Sequence, residues 1–203
     1  MNAHTNRLAG ICRNAPIYCE HWLRYRPTEA DNIRHKGKKL EDILVAHEKF
    51  HKGHPGGERA DLAGANLSGQ NLKKRDLTGA NLVGCNLQKA DLRGSKLSFA
   101  DLSKADLRKA DLRNCDFTET KLEGADLSEA NLSGTELFRG DLRSAKLHKT
   151  ILRGTVLRQA NLKGADFSGS DMALASFREI DLTDVTMDGV DLKDAVVRDN
   201  RKS

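Results

Sequence analysis

The residue pattern with the clearest chemical meaning lies near the amino terminus of this 203-residue chain. His47, Glu48 and His51 match H-E-x-x-H, which on a helix places two imidazoles one turn apart beside a glutamate that can act as a base, as in zinc proteases. Such an enzyme also needs a third ligand and a substrate cleft, and His54 is too close in sequence to complete the longer form of the motif. We therefore expect no metalloprotease.

The cysteines offer two further kinds of chemistry. Cys12, Cys19, His21 and His35 have the residue types of a structural zinc site, but their spacing is not one of the recognised ones. Cys85 and Cys115 occupy a position that is otherwise held by small residues, so we expect buried thiols and not reactive ones. The sequence contains no phosphate-binding glycine loop. We predict a protein that is not an enzyme and has no cofactor, metal or small-molecule substrate.

Composition narrows the class of protein. Aromatic residues make up only 4% of the chain, so a core built from large rings is excluded. No run of eighteen apolar residues and no basic leader followed by an apolar stretch is present, which predicts neither a membrane protein nor a secreted one. Four cysteines in a chain of this length fit thiols in a reducing compartment. We expect a cytoplasmic protein.

The core must come from a five-residue repeat. Residues 60–199 divide into 28 consecutive pentads without an insertion, and the third residue is Leu in 22 of them. The first residue is Ala in 14 pentads and the second is Asp or Asn in 19. A period of five fits neither a helix nor a flat strand, so the chain must turn one corner in each pentad. Four corners close a square coil of twenty residues, with the first and third side chains pointing inward.

The A-(D/N)-L-x-x pattern over residues 60–199 resembles the pentapeptide-repeat family. The resemblance implies an all-β solenoid, a right-handed quadrilateral β-helix of about seven coils. At about 4.8 Å per coil such a rod is about 34 Å long. Asp or Asn beside each corner suits a turn, because a short side-chain acceptor bonds nearby backbone N–H groups. The repeat predicts a scaffold, and a scaffold alone does not specify a function.

The segment before the repeats divides into two parts. Residues 40–59 are predicted to be a capping helix and a Gly-rich joint, because Leu40, Ile43, Leu44, His47 and either Phe50 or His51 recur at helical spacing. Residues 1–39 form a basic arm, either helical or flexible, that holds all the Trp and Tyr of the chain. Within the arm, aromatic and basic residues are interleaved and are candidates for a contact with a partner, including nucleic acid: Trp22, Arg24, Tyr25 and Arg26.

The carboxyl-terminal end of the repeats has bulkier inward residues and only a short polar tail at 200–203. Two interpretations remain open. The bulky residues fill the end of the bore, or two rods meet end to end as a homodimer, since an uncovered apolar end favours self-association. The residues concerned are Ile180, Val185, Val190 and Val197.

Charge bears on the family's best-known activity, in which some members imitate DNA and bind DNA gyrase. Residues 60–199 hold 21 basic and 22 acidic side chains, and no face of the square carries a net charge beyond −2. A strongly acidic surface is therefore lacking. We keep gyrase binding as the alternative function and favour a bacterial protein–protein interaction scaffold with an unidentified protein partner. Three outward apolar residues are the candidate partner-binding surface: Phe99, Phe138 and Leu174.

Overall fold

The computed structural model describes residues 33–198. The described part of the chain begins with a small antiparallel hairpin, strands β1 (Arg34–His35) and β2 (Lys38–Lys39), in which Arg34 pairs with Lys39. Lys36 and Gly37 form the two-residue connection with φ of 49° and 80°, the left-handed backbone that such hairpins require. This part of the predicted arm is therefore a β-hairpin. The residues proposed for partner contact, Trp22 to Arg26, lie outside the described residues.

A single helix, α1 (Leu40–His51), follows the hairpin directly. Its buried side chains are Leu40, Ile43, Leu44 and His47, which form one stripe, and acidic residues occupy its first turn, where the helix dipole favours them. The chain leaves the helix through Lys52 and Gly53, the latter with φ of 64°. His47, predicted on the packed face, is fully buried, whereas Phe50, predicted on the same face, is 48% exposed, so the packing expected for Phe50 is not observed.

From residue 60 onward, most pentads pair with the pentad twenty residues further on. Asp61 bridges to Asn81 in the parallel sense, and the same offset recurs along the chain to the pair of Asp166 with Thr186. Most sides of the coil contribute one bridging residue, and one side has instead a parallel pair of short strands, β3 (Ser176–Arg178) and β4 (Val196–Arg198). The coil therefore takes twenty residues, with four pentads as its sides.

The hydrogen bonds between coils repeat with the same regularity. In one pentad the N–H of Leu142 donates to the carbonyl of Asn161 at 2.8 Å, and the N–H of Ser144 donates to Lys163 at 3.0 Å. Within the coil, the N–H of Ala145 closes the corner by donating to Leu142 at 3.0 Å. Backbone groups of each side are thus satisfied by neighbouring coils and by the corner itself.

The core is a column of third-position side chains. Every one of them from Leu62 to Phe177 is at most 1% exposed. Where the first position holds Ser, Thr or Cys, its side chain donates to a third-position carbonyl one coil earlier, as Thr135 does to Leu112 at 2.9 Å. Polar atoms can therefore lie in the bore because they have partners there. No helix among residues 33–198 has the length and apolar character needed to cross a bilayer.

Candidate functional site

The corners of the coil decide which side chains face outward. The fifth residue of each pentad from Gly64 to Glu179 has positive φ, a backbone conformation that favours Gly and tolerates Asn. Phe99 and Leu174 occupy two of these corners with φ of 60° and 61°. Their side chains are 58% and 71% exposed. A large apolar residue there is unfavourable for the backbone and for solvation, so these two positions are the clearest departures from what the fold itself requires.

Phe138 does not join them as an exposed anchor. Its side chain is half-buried, and two guanidinium groups lie over the ring, Arg139 at 4.9 Å and Arg158 at 5.8 Å from the ring centroid. Such cation–π contacts cover the aromatic face that a partner would otherwise use. Sequence reasoning placed Phe138 outward but could not see that Arg139 of the same pentad and Arg158 of the next coil cover its ring.

The acidic residues of the repeat serve the turns. The Oδ1 atom of Asp106 accepts the backbone N–H of Arg108 at 3.2 Å, and the same bond recurs in most pentads that have Asp or Asn in second position. The Arg108 guanidinium then returns to the same carboxylate, with Nε and Nη2 at 2.9 and 2.6 Å. This fork holds the pKa of Asp106 below its usual value.

Among residues 80–159, the same fork occurs in every pentad that reads D-L-R in positions two to four. The pairs are Asp91 with Arg93, Asp106 with Arg108, Asp111 with Arg113, and Asp141 with Arg143. Pentads 70–74, 90–94 and 110–114 stack on one side of the square, and ion pairs there also connect successive coils. Asp91 contacts Lys73 at 2.9 Å, and Asp111 contacts Arg93 at 3.4 Å. The middle of the rod therefore presents mixed ion pairs and not a continuous negative surface.

The H-E-x-x-H histidines are held by the repeats. The N–H of Ala60 donates to Nδ1 of His47 at 3.0 Å, and Nε2 of His51 donates to the carbonyl of Thr78 at 2.7 Å. Burial lowers the pKa of His47, with a further contribution from His51, whose ring lies edge-on at 4.6 Å. Among residues 33–198 no group of three potential ligands could hold a metal ion. Cys12, Cys19 and His21 lie outside the described residues.

The two thiols within the repeats are buried and bonded. Sγ of Cys85 donates to the carbonyl of Leu62 at 2.7 Å, and Sγ of Cys115 donates to Leu92 at 2.9 Å. Burial raises the pKa of Cys85 to about 11 and that of Cys115 to about 12. Because the thiolate is the reactive form, the raised pKa and the burial of both thiols disfavour a nucleophilic role near neutral pH.

The carboxyl-terminal residues proposed for self-association differ in exposure. Ile180 is buried, Val185 and Val190 are half-buried, and Val197 is 47% exposed. The one helix of the described residues, α1, contacts the first coil, at the other end of the repeats. The end of the bore is thus only partly filled by its own side chains.

Comparison with known proteins identifies the repeat. A family model for pentapeptide repeats matches with eight copies over residues 60–98, 95–134, 141–178 and 160–199, which is more than half of the chain. The chain belongs to the pentapeptide-repeat family. Proteins of this family form right-handed quadrilateral β-helices, and the twenty-residue pairing offset described above is the signature of that coil.

Two similar solved structures are those of a plasmid-mediated fluoroquinolone resistance protein and of a cyanobacterial pentapeptide-repeat protein. A trypsin-treated variant of QnrB1, a plasmid-mediated fluoroquinolone resistance protein, is 20% identical with a TM-score of 0.48, and the match covers 69% of this chain and 90% of QnrB1. HetL, involved in heterocyst differentiation regulation in Nostoc sp. strain PCC 7120, is 30% identical with a TM-score of 0.28, covering 68% of this chain and 82% of HetL. No curated protein matches the sequence.

Two features of this pentapeptide-repeat protein were missed by sequence reasoning. Gln70 and Arg75 hold first positions in the coil formed by residues 60–79, whereas most pentads of the chain have a small residue there, and Arg75 donates to Glu41 of α1 at 2.8 Å. These oversized residues are a sequence signal that the first coil contacts another segment. The D-L-R forks were also present in the sequence as a spacing of two between opposite charges.

Proposed function

We propose that this pentapeptide-repeat protein is a non-enzymatic scaffold that binds a protein partner through the side of its rod. In this proposal the repeats make seven coils and α1 is the amino-terminal cap. The observation that carries the proposal is the pair Phe99 and Leu174, whose large apolar side chains are exposed at corners with positive φ. Exposed apolar anchors on a charged surface are typical of protein interaction sites.

The charge of the rod favours this function over gyrase binding by DNA imitation. A DNA mimic must present negative charge at phosphate-like density, so its carboxylates must be free. Here carboxylates such as Asp106 and Asp141 are engaged by arginines of their own pentads. Gyrase binding therefore remains the alternative, to be decided by the identity of the retained partner.

The test replaces both anchors with the non-glycine residue that best tolerates the corner. We expect Phe99→Asn combined with Leu174→Asn to fold with unchanged or slightly higher stability, within about 0.5 kcal/mol, because Asn adopts positive φ at lower cost. Partner affinity should fall about tenfold or more, as for loss of two interface anchors. Quantitative pull-down from host lysate, followed by titration of the retained protein, measures both effects.

A matched control is Glu129→Asn, which changes another exposed corner with φ of 60°. This variant should retain the same proteins as the native chain. Equal retention by the double variant would contradict the proposed surface. Loss of the partner on removal of residues 1–32 alone would instead assign recognition to the basic arm, and gyrase subunits retained by every form would support the alternative.

A further inference from the structure

The two exposed apolar corners border the same side of the rod. That side, here called the Phe99 side, is the stack of pentads 75–79, 95–99, 115–119, 135–139, 155–159 and 175–179, which pair at the twenty-residue offset. Phe99 ends its pentad at one corner of this side, and Leu174 directly precedes pentad 175–179 at the other corner. Almost four coils separate them, or about 18 Å along the rod. The two side chains therefore lie at the ends of a diagonal.

The surface between the two corners is less polar than the rest of the rod. Val156 is half-buried in the middle of the Phe99 side, where most coils have a charged residue, and pairs there with Glu136 and Ser176. Gly154 precedes Leu174 by one coil at the same corner, and a Cβ on this glycine would meet nothing within 4 Å. Leu174 therefore stands beside an open notch, next to the coil that carries Val156.

Phe138 lies on the same diagonal, at the Phe99 corner. Arg139 and Arg158 cover its ring, and Arg139 also lies 3.9 Å from Glu119. Guanidinium groups are flat and weakly hydrated, so a partner can pack on them and place a carboxylate beside them. From one corner to the other, the diagonal consists of Phe99, Phe138 with its two arginines, Val156 and Leu174.

The two flanks of the diagonal carry opposite charge. Asp116 and Glu136 occupy the middle of the side on the amino-terminal flank, and neither forms an ion pair with another described residue. On the carboxyl-terminal flank, Arg178 is exposed and has no ion pair among residues 33–198, while Arg158 contacts Glu179 at 3.2 Å. A ligand on the diagonal therefore meets an acidic flank on one edge and a basic flank on the other.

The backbone of the Phe99 side has no groups to offer an extended ligand. The N–H of Glu136 donates to Cys115 at 3.1 Å, and its carbonyl accepts from Phe117 at 2.7 Å. The carbonyl of Val156 accepts from Leu137 at 2.8 Å. A strand laid across this side would leave its own backbone groups unpaired, whereas an α-helix satisfies them internally and binds through side chains alone.

We propose that the partner segment bound by the Phe99 side is an amphipathic α-helix that lies along this diagonal. At 1.5 Å per residue, a helix of about 12 residues spans the 18 Å between the corners. Its apolar stripe would contact Phe99, Val156 and Leu174. Its basic edge would face the acidic flank, and its acidic edge would face the basic flank. This proposal rests on the proposed function, because both use the same two corners, and it adds the kind of segment that binds.

The experiment uses the full chain and a fluorescent, end-blocked helix, Leu-Lys-Ala-Glu-Leu-Lys-Glu-Leu-Lys-Ala-Glu-Leu-Lys-Glu-Leu, whose two alanine positions are joined by a hydrocarbon staple. Fluorescence anisotropy should show saturable binding. Methyl NMR signals of Val156 and Leu174 should shift, while those of Leu127 on the opposite side should not. Phe99→Asn combined with Leu174→Asn should weaken binding about tenfold or more. The control Glu129→Asn, at a corner of the opposite side, should bind within about twofold of the native chain.

Charge reversal tests the two flanks. Glu136→Lys and Arg178→Glu should each weaken binding about three- to fivefold, because each makes both flanks alike in sign. Together they exchange the flanks, and since a helix can bind in the reverse direction, the double variant should regain native affinity within about twofold. The repeat already has Lys and Glu at these pentad positions in Lys121 and Glu123, so the fold should be retained, which thermal unfolding verifies.

A matched control keeps the net charge but places the second reversal elsewhere. Glu136→Lys combined with Lys149→Glu, an exposed corner of the opposite side, should stay as weak as Glu136→Lys alone. Recovery in this variant would mean that net charge, and not the two flanks, governs binding, and would overturn the proposal. An unstapled peptide with proline in place of both alanines should bind about tenfold more weakly, because proline breaks the helix. Equal binding of that peptide would mean an extended ligand.

Further results separate this proposal from the function on which it rests. A protein retained from lysate through Phe99 and Leu174, with no binding of the stapled helix at millimolar protein, would leave the scaffold function standing and overturn the helix. Loss of neither ligand in the Phe99→Asn, Leu174→Asn variant would overturn both. Binding of the stapled helix only after removal of residues 1–32 would mean that this chain's own arm covers the diagonal, which also overturns the proposal.

Discussion

At the scale of single residues, two positions of the pentad set opposite demands on the backbone. The side chain at the first position points inward and must be small, and the backbone there does not need positive φ. The fifth position is a corner with positive φ. Gly140 occupies a first position and Gly134 a fifth position. A Cβ on Gly140 would meet Cδ1 of Leu142 at 3.3 Å, and a Cβ on Gly134, with φ of 67°, would lie 2.5 Å from Oδ1 of Asn114.

These two glycines should therefore respond in opposite ways to alanine. We expect Gly140→Ala to stabilise the protein by about 0.5 kcal/mol, because alanine fits this position elsewhere and restricts the unfolded chain. Gly134→Ala should destabilise it by about 1 kcal/mol, because positive φ is strained for alanine. Midpoints of urea unfolding for the two variants and the native protein measure the difference, and a destabilised Gly140→Ala would show that the bore has no room there.

At the scale of elements, the docking of α1 depends on a neutral histidine. Nδ1 of His47 accepts the N–H of Ala60, so protonation of that atom would break the bond inside a buried contact. The charged groups that face the ring are His51 on α1, Arg59 in the joint and Asp76 in the first coil. Burial dominates and lowers the pKa of His47 below its ordinary value of 6.5.

The sign of the pH dependence follows from that direction. Because the folded-state pKa is lower than the unfolded one, the contribution of His47 is fully present above pH 6.5 and is lost as the pH falls from there toward the lowered value. We expect hydrogen-exchange protection of residues 40–51, corrected for intrinsic rates, to fall between pH 7.5 and 5.5, while protection of residues 100–112 does not.

Two variants separate His47 from the other histidines. His47→Asn retains an acceptor near the Ala60 N–H without titrating in this range, and should remove most of the pH effect. His54→Asn changes an exposed histidine and should leave the effect intact. An effect of the same size in both variants would contradict the role given to His47.

At the scale of the whole molecule, stability accumulates by stacking of neighbouring coils. Leu112 is fully buried between coils, and Leu62 is equally buried in the first coil, which α1 contacts through the bonds of His47 to Ala60 and of Glu41 to Arg75. Leu192 is half-buried in the last coil. The core is therefore less buried at the carboxyl-terminal end of the repeats than at the amino-terminal end, and we expect the carboxyl-terminal end to be the less stable one.

Truncation of core leucines should reveal that difference. Leu112→Ala should cost about 3–4 kcal/mol, because it leaves a cavity that neighbouring coils cannot close. Leu192→Ala should cost about 1 kcal/mol, since part of its surface is already in water. Guanidinium unfolding followed by circular dichroism measures both, and equal costs would mean that the last coil is covered in solution.

The sequence by itself determined the family, the five-residue frame and the side chains that point inward, from Leu62 to Phe177. A strict period can do this because each pentad meets only its own corner and the same position of adjacent coils. It also placed Phe99 and Leu174 outward, where the structure has them exposed.

Only the tertiary structure decided what lies over a given side chain. Phe138 is covered by Arg158 from the next coil, Phe50 is exposed near the end of α1, and Asp111 is contacted by Arg93 from the preceding coil. The sequence predicts a side chain's direction from local geometry. Its burial and its charge depend on a second segment, whose position is fixed by packing between coils and between α1 and the first coil.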